Sequence, residues 1–254
     1  MTFPTQGAAL VVGGSGGIGA AIATLLAERG SSVAVTYRGN AEGGTSTAAA
    51  IEALGARSAA HRLDVSDPEA CARVLDEVAA QFDGVHTLVH AAGPHVPMVH
   101  LSRVTPTQMA EQLQADAAGF FNVVHPALGH LRASRGSIVA VTTAATTRYP
   151  VRDGLSAGPK GAVEALVRGL AAEEGRFGVR VNAVGPGMLS EGMVERLIDS
   201  GDLSPEALEI TRANIPLRTL GTARDIAEAV CFLASGAAGF ISGQKLDVDG
   251  GYGA

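Results

Sequence analysis

The chain has 254 residues, 46 % of them apolar and 17 % charged, with 33 glycines, no tryptophan and a formal charge of −6. That balance excludes a disordered chain and collagen, and no apolar run reaches the roughly 20 residues that a bilayer crossing needs. With 19 basic against 25 acidic residues the surface carries no electrostatic footprint for nucleic acid or anionic lipid. The opening MTFPTQG lacks the basic start and apolar core of an export signal, so a cytoplasmic protein is expected.

In chain order, short apolar runs alternate with longer segments of helical spacing, which is the pattern of repeated βαβ units in one domain spanning residues 1–254. Strands are predicted over Ala8–Val12, Ser32–Tyr37, Arg57–Arg62, Thr87–Ala91, Ser137–Thr142, Val179–Val184 and Gln244–Val248. Most have no alternating polar face, as expected when helices cover both sides of a parallel sheet. Helices are predicted over Gly17–Arg29, Thr45–Leu54, Pro68–Phe82, Thr107–Leu131 with a break near Asp116, Ser156–Arg176 and Arg224–Leu233. The third begins Asp67-Pro68-Glu69, an N-cap, a proline at the first position and an acid in the first turn. In the fourth, Phe120, Phe121, Val123, Val124, Leu128 and Leu131 cover more than one face, so a subunit partner is expected against the side the sheet does not use. The long insertion 187–215 reads as a mobile lid over a substrate.

Chemistry enters at VGGSGGIG, Val12 to Gly19, where a strand runs through a glycine turn into a helix start. Free N–H groups at the positive end of a helix, with no side chains in the way, suit a pyrophosphate approaching Gly13, Ser15, Gly17, Ile18 and Gly19. At the end of the second strand an acid would hydrogen-bond the ribose 2′-hydroxyl of NAD, but the chain reads VTYRGN, with Tyr37 at that position and Arg38 next to it. A guanidinium matches a 2′-phosphate, so NADP(H) is the expected cofactor.

The glycine spacing resembles the G-x-x-x-G-x-G of the short-chain dehydrogenase/reductase family, and further segments similar to that family follow in order. They are LDV at Leu63–Val65, HAAG at His90–Gly93, VNAVGPG at Val181–Gly187 and DVDGGY at Asp247–Tyr252. The resemblance implies a Rossmann-like, doubly wound seven-stranded parallel sheet in the order 3-2-1-4-5-6-7, usually assembled as a homotetramer. It also implies that Asp64 and Val65 contact the adenine, that Ala92 and Gly93 line the cleft, and that Leu189, after Pro186 and Gly187, meets the nicotinamide amide.

Family members use an Asn, Ser, Tyr and Lys set in which the tyrosine protonates the alkoxide formed at a carbonyl. Aligned on SAGPKGAV, the lysine is Lys160, the tyrosine position holds Ser156, the serine position Thr143 and the asparagine position Asp116. An aliphatic hydroxyl is a poor proton source, and losing a general acid costs about 10²–10⁴ in rate. Conjugate reduction suffers less, because an enolate needs hydrogen-bond donors on its oxygen more than an immediate proton. Asp116, Ser156 and Lys160 resemble the arrangement in 2,4-dienoyl-CoA and related enoyl-CoA reductases of the family. The expected function is therefore an NADPH-dependent reductase of an activated C=C or a carbonyl; the alternatives are a cofactor-binding protein without turnover and a non-redox lyase or isomerase in the same cleft. Tyr149 and His95 are candidate displaced proton donors. No metal site is expected, because the remaining histidines lack ligand spacing, and Cys71 and Cys231 read as buried thiols.

Overall fold

The computed structural model describes residues 3–94, 96–190 and 205–254. Seven parallel strands form a single sheet: β1 (Ala8–Val12), β2 (Ser32–Tyr37), β3 (Ser58–Arg62), β4 (Val85–His90), β5 (Ser137–Val141), β6 (Arg180–Pro186) and β7 (Lys245–Val248). Their spatial order is β3-β2-β1-β4-β5-β6-β7, as the resemblance implies. The order reverses beside β1, where β4 pairs with its other edge, and that switch point opens a crevice above the carboxyl ends of the two strands.

The helices are α1 (Gly17–Glu28), α2 (Ala41–Ala53), α3 (Pro68–Phe82), α4 (Pro106–Leu113), α5 (Gly119–Ser134), α6 (Gly154–Glu174), α7 (Pro205–Asn214) and α8 (Ala223–Ala234). The core splits into two clusters, one on each face of the sheet. Leu10, Leu88, Ile138 and Val181 face α3, α5 and α6 through Leu75, Phe82, Phe120 and Val163. Val11, Val35, Val89 and Val139 face α1, α2 and α8 through Ile22, Leu26, Ile51 and Ile226. Both faces of β1 are fully buried, which explains its unbroken apolar run.

Helix starts follow local capping chemistry. Asp67 accepts the Ala70 amide and so caps α3, and Thr222 forms a capping box with Asp225 at α8. The second helix begins at Ala41 rather than Thr45, because Asn40 accepts the Gly43 amide and carries the helix across two glycines. Of the apolar positions on α5, Phe120, Val123, Val124 and Leu131 are buried within the chain and Leu128 is partly buried, whereas Phe121 is exposed. Among the described residues no helix is long and apolar enough to cross a membrane.

The break expected near Asp116 is a π-helical turn over Gln114–Ala118, which separates α4 from α5. Such turns widen the helix by one residue and are frequent at functional sites. Of the expected lid, 187–190 and 205–215 are described: Ser190 donates its amide to Gly221 across the base of the insertion, and Ile215 is buried. Residues 191–204 of the expected lid lie outside the described residues.

Candidate active site

The glycine turn after β1 is built by close approach of backbone. Gly13 has φ +85°, and a Cβ there would fall 2.7 Å from the Ala92 amide nitrogen after β4. A Cβ on Gly19 would fall 2.1 Å from the Gly13 carbonyl oxygen. Both positions therefore demand glycine, and the first turn of α1 lies folded down on the β1 and β4 ends. No acidic side chain occupies that first turn, so the positive end of the helix is left without a carboxylate of its own. Asn40 ties α2 to this turn by donating to the Ser15 carbonyl at 3.1 Å.

Along the crevice toward β3, the Tyr37 ring packs on Gly44 of α2, and the Arg38 side chain stands exposed. Asp64 is exposed; the amide and hydroxyl of Ser66, then the charges of Arg38 and Arg62, hold its carboxyl below the usual range. Val65 is fixed by Asn122, which donates to its carbonyl at 2.9 Å.

Toward β5 the crevice reaches a buried ion pair. Lys160 donates to Asp116 Oδ1 at 2.7 Å, with side chains 13 % and 1 % exposed. Gly93 leaves the space in front of it: a Cβ there would sit 3.3 Å from Lys160 Nζ and 3.7 Å from Asp116 Oδ1. Asp116 Oδ2 and the nearby His90 Nε2 are both buried, and neither has a hydrogen-bond partner among the described residues. Burial, then the Lys160 charge, pushes His90 down to about 3, so the ring is neutral, edge-on to Phe120. The spare oxygen of Asp116 and the two unused Lys160 protons are what a polar ligand or ordered water could engage.

Ser156 lies four residues before Lys160 on α6, hence on the same helix face. Its hydroxyl has no hydrogen-bond partner among the described residues. Thr143, at the end of β5, accepts the Ala145 amide at 3.2 Å and keeps its hydroxyl proton for another partner. Pro186 ends β6 and Gly187 follows it, and Leu189 packs on the core cluster that includes Val184 and Ile226 while bridging to Gly221.

Two features escaped the sequence reading. Asp153 occupies the N-cap of α6 without accepting a capping bond, and burial pushes its carboxyl up to about 6. The other is a charged cluster behind Thr143. Lys245 of β7 lies 2.9 Å from Asp247 Oδ1 and 3.4 Å from Glu164 Oε1, and donates to Thr146 and Thr147. Thr146 in turn hydrogen-bonds Glu164 and the Thr143 carbonyl, so β7 and α6 jointly brace the turn that carries Thr143. Lys245 and Asp247, two residues apart in a strand, were the available signal, since that spacing puts both on one face.

Tyr149 lies apart from the ion pair. Its half-exposed ring lines a groove of about 360 Å³ with Leu101, Thr146, Gly154, Ala157 and Gly161, a different face of α6 from Ser156 and Lys160. His95 lies outside the described residues. Cys71 and Cys231 are buried, their thiols pushed up to about 11 and about 12 chiefly by burial, and act as small hydrophobes.

Over residues 12–253 the chain matches the family described as enoyl-(acyl carrier protein) reductase. It is 33 % identical over 249 residues to a versicolorin reductase of Emericella nidulans, covering 96 % of this chain and 94 % of that one. A 3-oxoacyl-(acyl-carrier-protein) reductase of Staphylococcus epidermidis is 34 % identical over 244 residues, covering 96 % and 97 %. Among solved structures, a short chain dehydrogenase from Burkholderia cenocepacia in complex with NADP superposes with a TM-score of 0.88 at 34 % identity, covering 98 % of this chain and 99 % of that one.

Proposed function

Because this chain is an oxidoreductase of the short-chain dehydrogenase/reductase family, we propose that it is an NADP(H)-dependent reductase of an activated C=C bond, of the enoyl-thioester kind, working without a tyrosine acid. The observation that carries this reading is the Lys160–Asp116 pair set against Gly93, with Ser156 one turn away on the same helix.

The residues present fit a dinucleotide, since the glycine cradle leaves backbone amides open and Asp116 Oδ2 and Lys160 keep unused polar capacity. Gly13, Ser15, Gly17, Ile18 and Gly19 would hold the pyrophosphate, Tyr37 and Arg38 the adenosine ribose end, and Asp64 and Val65 the adenine. Ala92, Gly93, Pro186, Gly187 and Leu189 would line the nicotinamide end, with Lys160 on its ribose. When bound, the reduced cofactor supplies a hydride.

The chain's own residues then have three tasks. Thr143 and Ser156 offer hydroxyl donors to the thioester oxygen, where negative charge gathers as the β-carbon is reduced. Asp116 keeps Lys160 in place by one hydrogen bond and leaves its other protons for the ribose and for an ordered water. That water, held between Lys160 and Asp116, delivers the proton to the α-carbon, and Lys160 returns a proton to the hydroxide left behind. Carbonyl reduction is the poorer match, because its alkoxide needs a proton at once and Ser156 does not titrate in the accessible range. An assembly of like subunits is supported by the exposure of Leu113 and Phe121 on the outer surface of α4 and α5.

The test is loss of NADPH absorbance with crotonyl-CoA and a dienoyl-CoA beside acetoacetyl-CoA and simple ketones. Turnover on the unsaturated thioesters, falling by about 10²-fold or less in Ser156→Ala, is expected if the hydroxyl is one donor among several. Turnover confined to ketones contradicts the proposal. Tight NADPH binding with no turnover on any substrate favours the second reading, a cofactor-binding protein, for which the unpartnered Ser156 hydroxyl at the acid position is the supporting observation.

A further inference from the structure

The outer end of the crevice carries a second arginine. Strands β2 and β3 pair with Tyr37 opposite Arg62, and Arg38 follows Tyr37, so both arginines stand at the carboxyl edge of the sheet. Arg62 Nε lies 3.4 Å from the Arg38 carbonyl oxygen, which carries its side chain across the β2 end rather than out along β3. Both arginines are exposed, and among the described residues neither guanidinium has a carboxylate partner within ion-pair distance.

The charges of Arg38 and Arg62 reach the Asp64 carboxylate, but its hydrogen bonds among the described residues go to Ser66. Asp64 accepts the Ser66 amide at 3.0 Å and the Ser66 hydroxyl at 2.8 Å on the same oxygen, Oδ1. Two cations beside a single carboxylate leave this edge of the crevice with a net positive charge, which favours a further anion. A phosphate is suited to that role, because each planar guanidinium can offer two parallel N–H donors to its oxygens.

Resting on the NADP(H) reading above, we propose that Arg62 binds the 2′-phosphate of the cofactor together with Arg38, so that cofactor choice is made by two arginines from adjacent strands. Tyr37, whose ring is packed on Gly44, puts no carboxylate in the way. Discrimination between phosphate and hydroxyl therefore depends on two charge-assisted contacts, and each is expected to matter separately.

The experiment is fluorescence titration of NADPH and NADH into the wild-type protein, Arg38→Ala, Arg62→Ala and Arg62→Lys, with circular dichroism to confirm folding of these surface variants. The wild type is expected to bind NADPH more tightly than NADH. In Arg62→Ala the NADPH dissociation constant should rise about 10-fold or more while that of NADH stays within about 2-fold, and Arg62→Lys should recover part of the loss. Displacement of NADPH by 2′,5′-ADP should weaken in parallel. Unchanged NADPH binding in Arg62→Ala, or equal loss for both nucleotides, overturns the role of Arg62 and leaves the NADP(H) reading standing. A wild type that binds the two nucleotides equally, or neither, overturns that reading and this proposal with it.

Discussion

Lys160 and Asp116 are joined by a 2.7 Å hydrogen bond across 44 residues of sequence, and the carboxylate is sealed from solvent. The π-turn at Gln114–Ala118 holds Asp116 on one side and α6 holds Lys160 on the other. Removing one member of a buried pair strands the other charge, which costs about 3–5 kcal/mol. Lys160→Met should therefore lose both turnover and roughly that much stability in urea denaturation. Asp116→Asn in the same chain should restore most of the stability but none of the turnover. A double variant as unstable as the single one would mean that the stranded carboxylate is not the cause.

Acid should destabilise the protein through buried imidazoles. Burial pushes His90 down to about 3, assisted by the Lys160 charge, and His86 down to about 4 by burial alone. In the unfolded chain both titrate near 6.5, so between about pH 6.5 and 4 the unfolded state binds more protons. The stabilisation is full above that range and falls as pH drops, by up to about 1.4 kcal/mol per pH unit for each group. Unfolding in urea from pH 7 to 4.5 should show this slope, and His90→Asn should reduce it. A slope unchanged in that variant would remove His90 from the account.

The glycines of the first turn are not equivalent. At Gly19 a Cβ would strike the Gly13 carbonyl, whereas at Gly16 it would meet nothing, and the Gly16 backbone is extended, with φ 161°. Gly19→Ala should abolish NADPH binding and lower the melting temperature. Gly16→Arg should leave the melting temperature unchanged and tighten NADPH relative to NADH, since a guanidinium there adds a cation to the glycine turn. Thermal melts and nucleotide titrations check both; tolerance of Ala at position 19 would contradict the packing of α1 on β1.

The regular elements were legible because burial on both faces writes itself into strand composition: β1, β2 and α3 begin and end where the apolar runs and the Asp67-Pro68 start place them. At Gly43 and Gly44 glycine hides the pattern, and α2 starts at Ala41, ahead of the expected Thr45. Helix α7 fell inside the region read as a lid. For the site, motif spacing and the family resemblance name Gly13, Gly93, Asp116, Thr143, Ser156 and Lys160 as candidates. The resemblance groups Asp116 with Lys160 but gives no contact between them; spacing could not reach the 2.7 Å hydrogen bond they make, the bracing of Thr146 by Lys245 and Glu164, or the reach of Arg62 to the Arg38 carbonyl. Each joins residues from separate elements, and only the sheet order brings them together.

The most direct measurement is a crystal structure with NADP bound. The nicotinamide is expected between Gly93 and Leu189, with Lys160 on its ribose and the Ser156 and Thr143 hydroxyls beside the ring, and no tyrosine hydroxyl near C4. A Tyr149 hydroxyl turned onto that carbon, or a nucleotide bound outside this cleft, would contradict it.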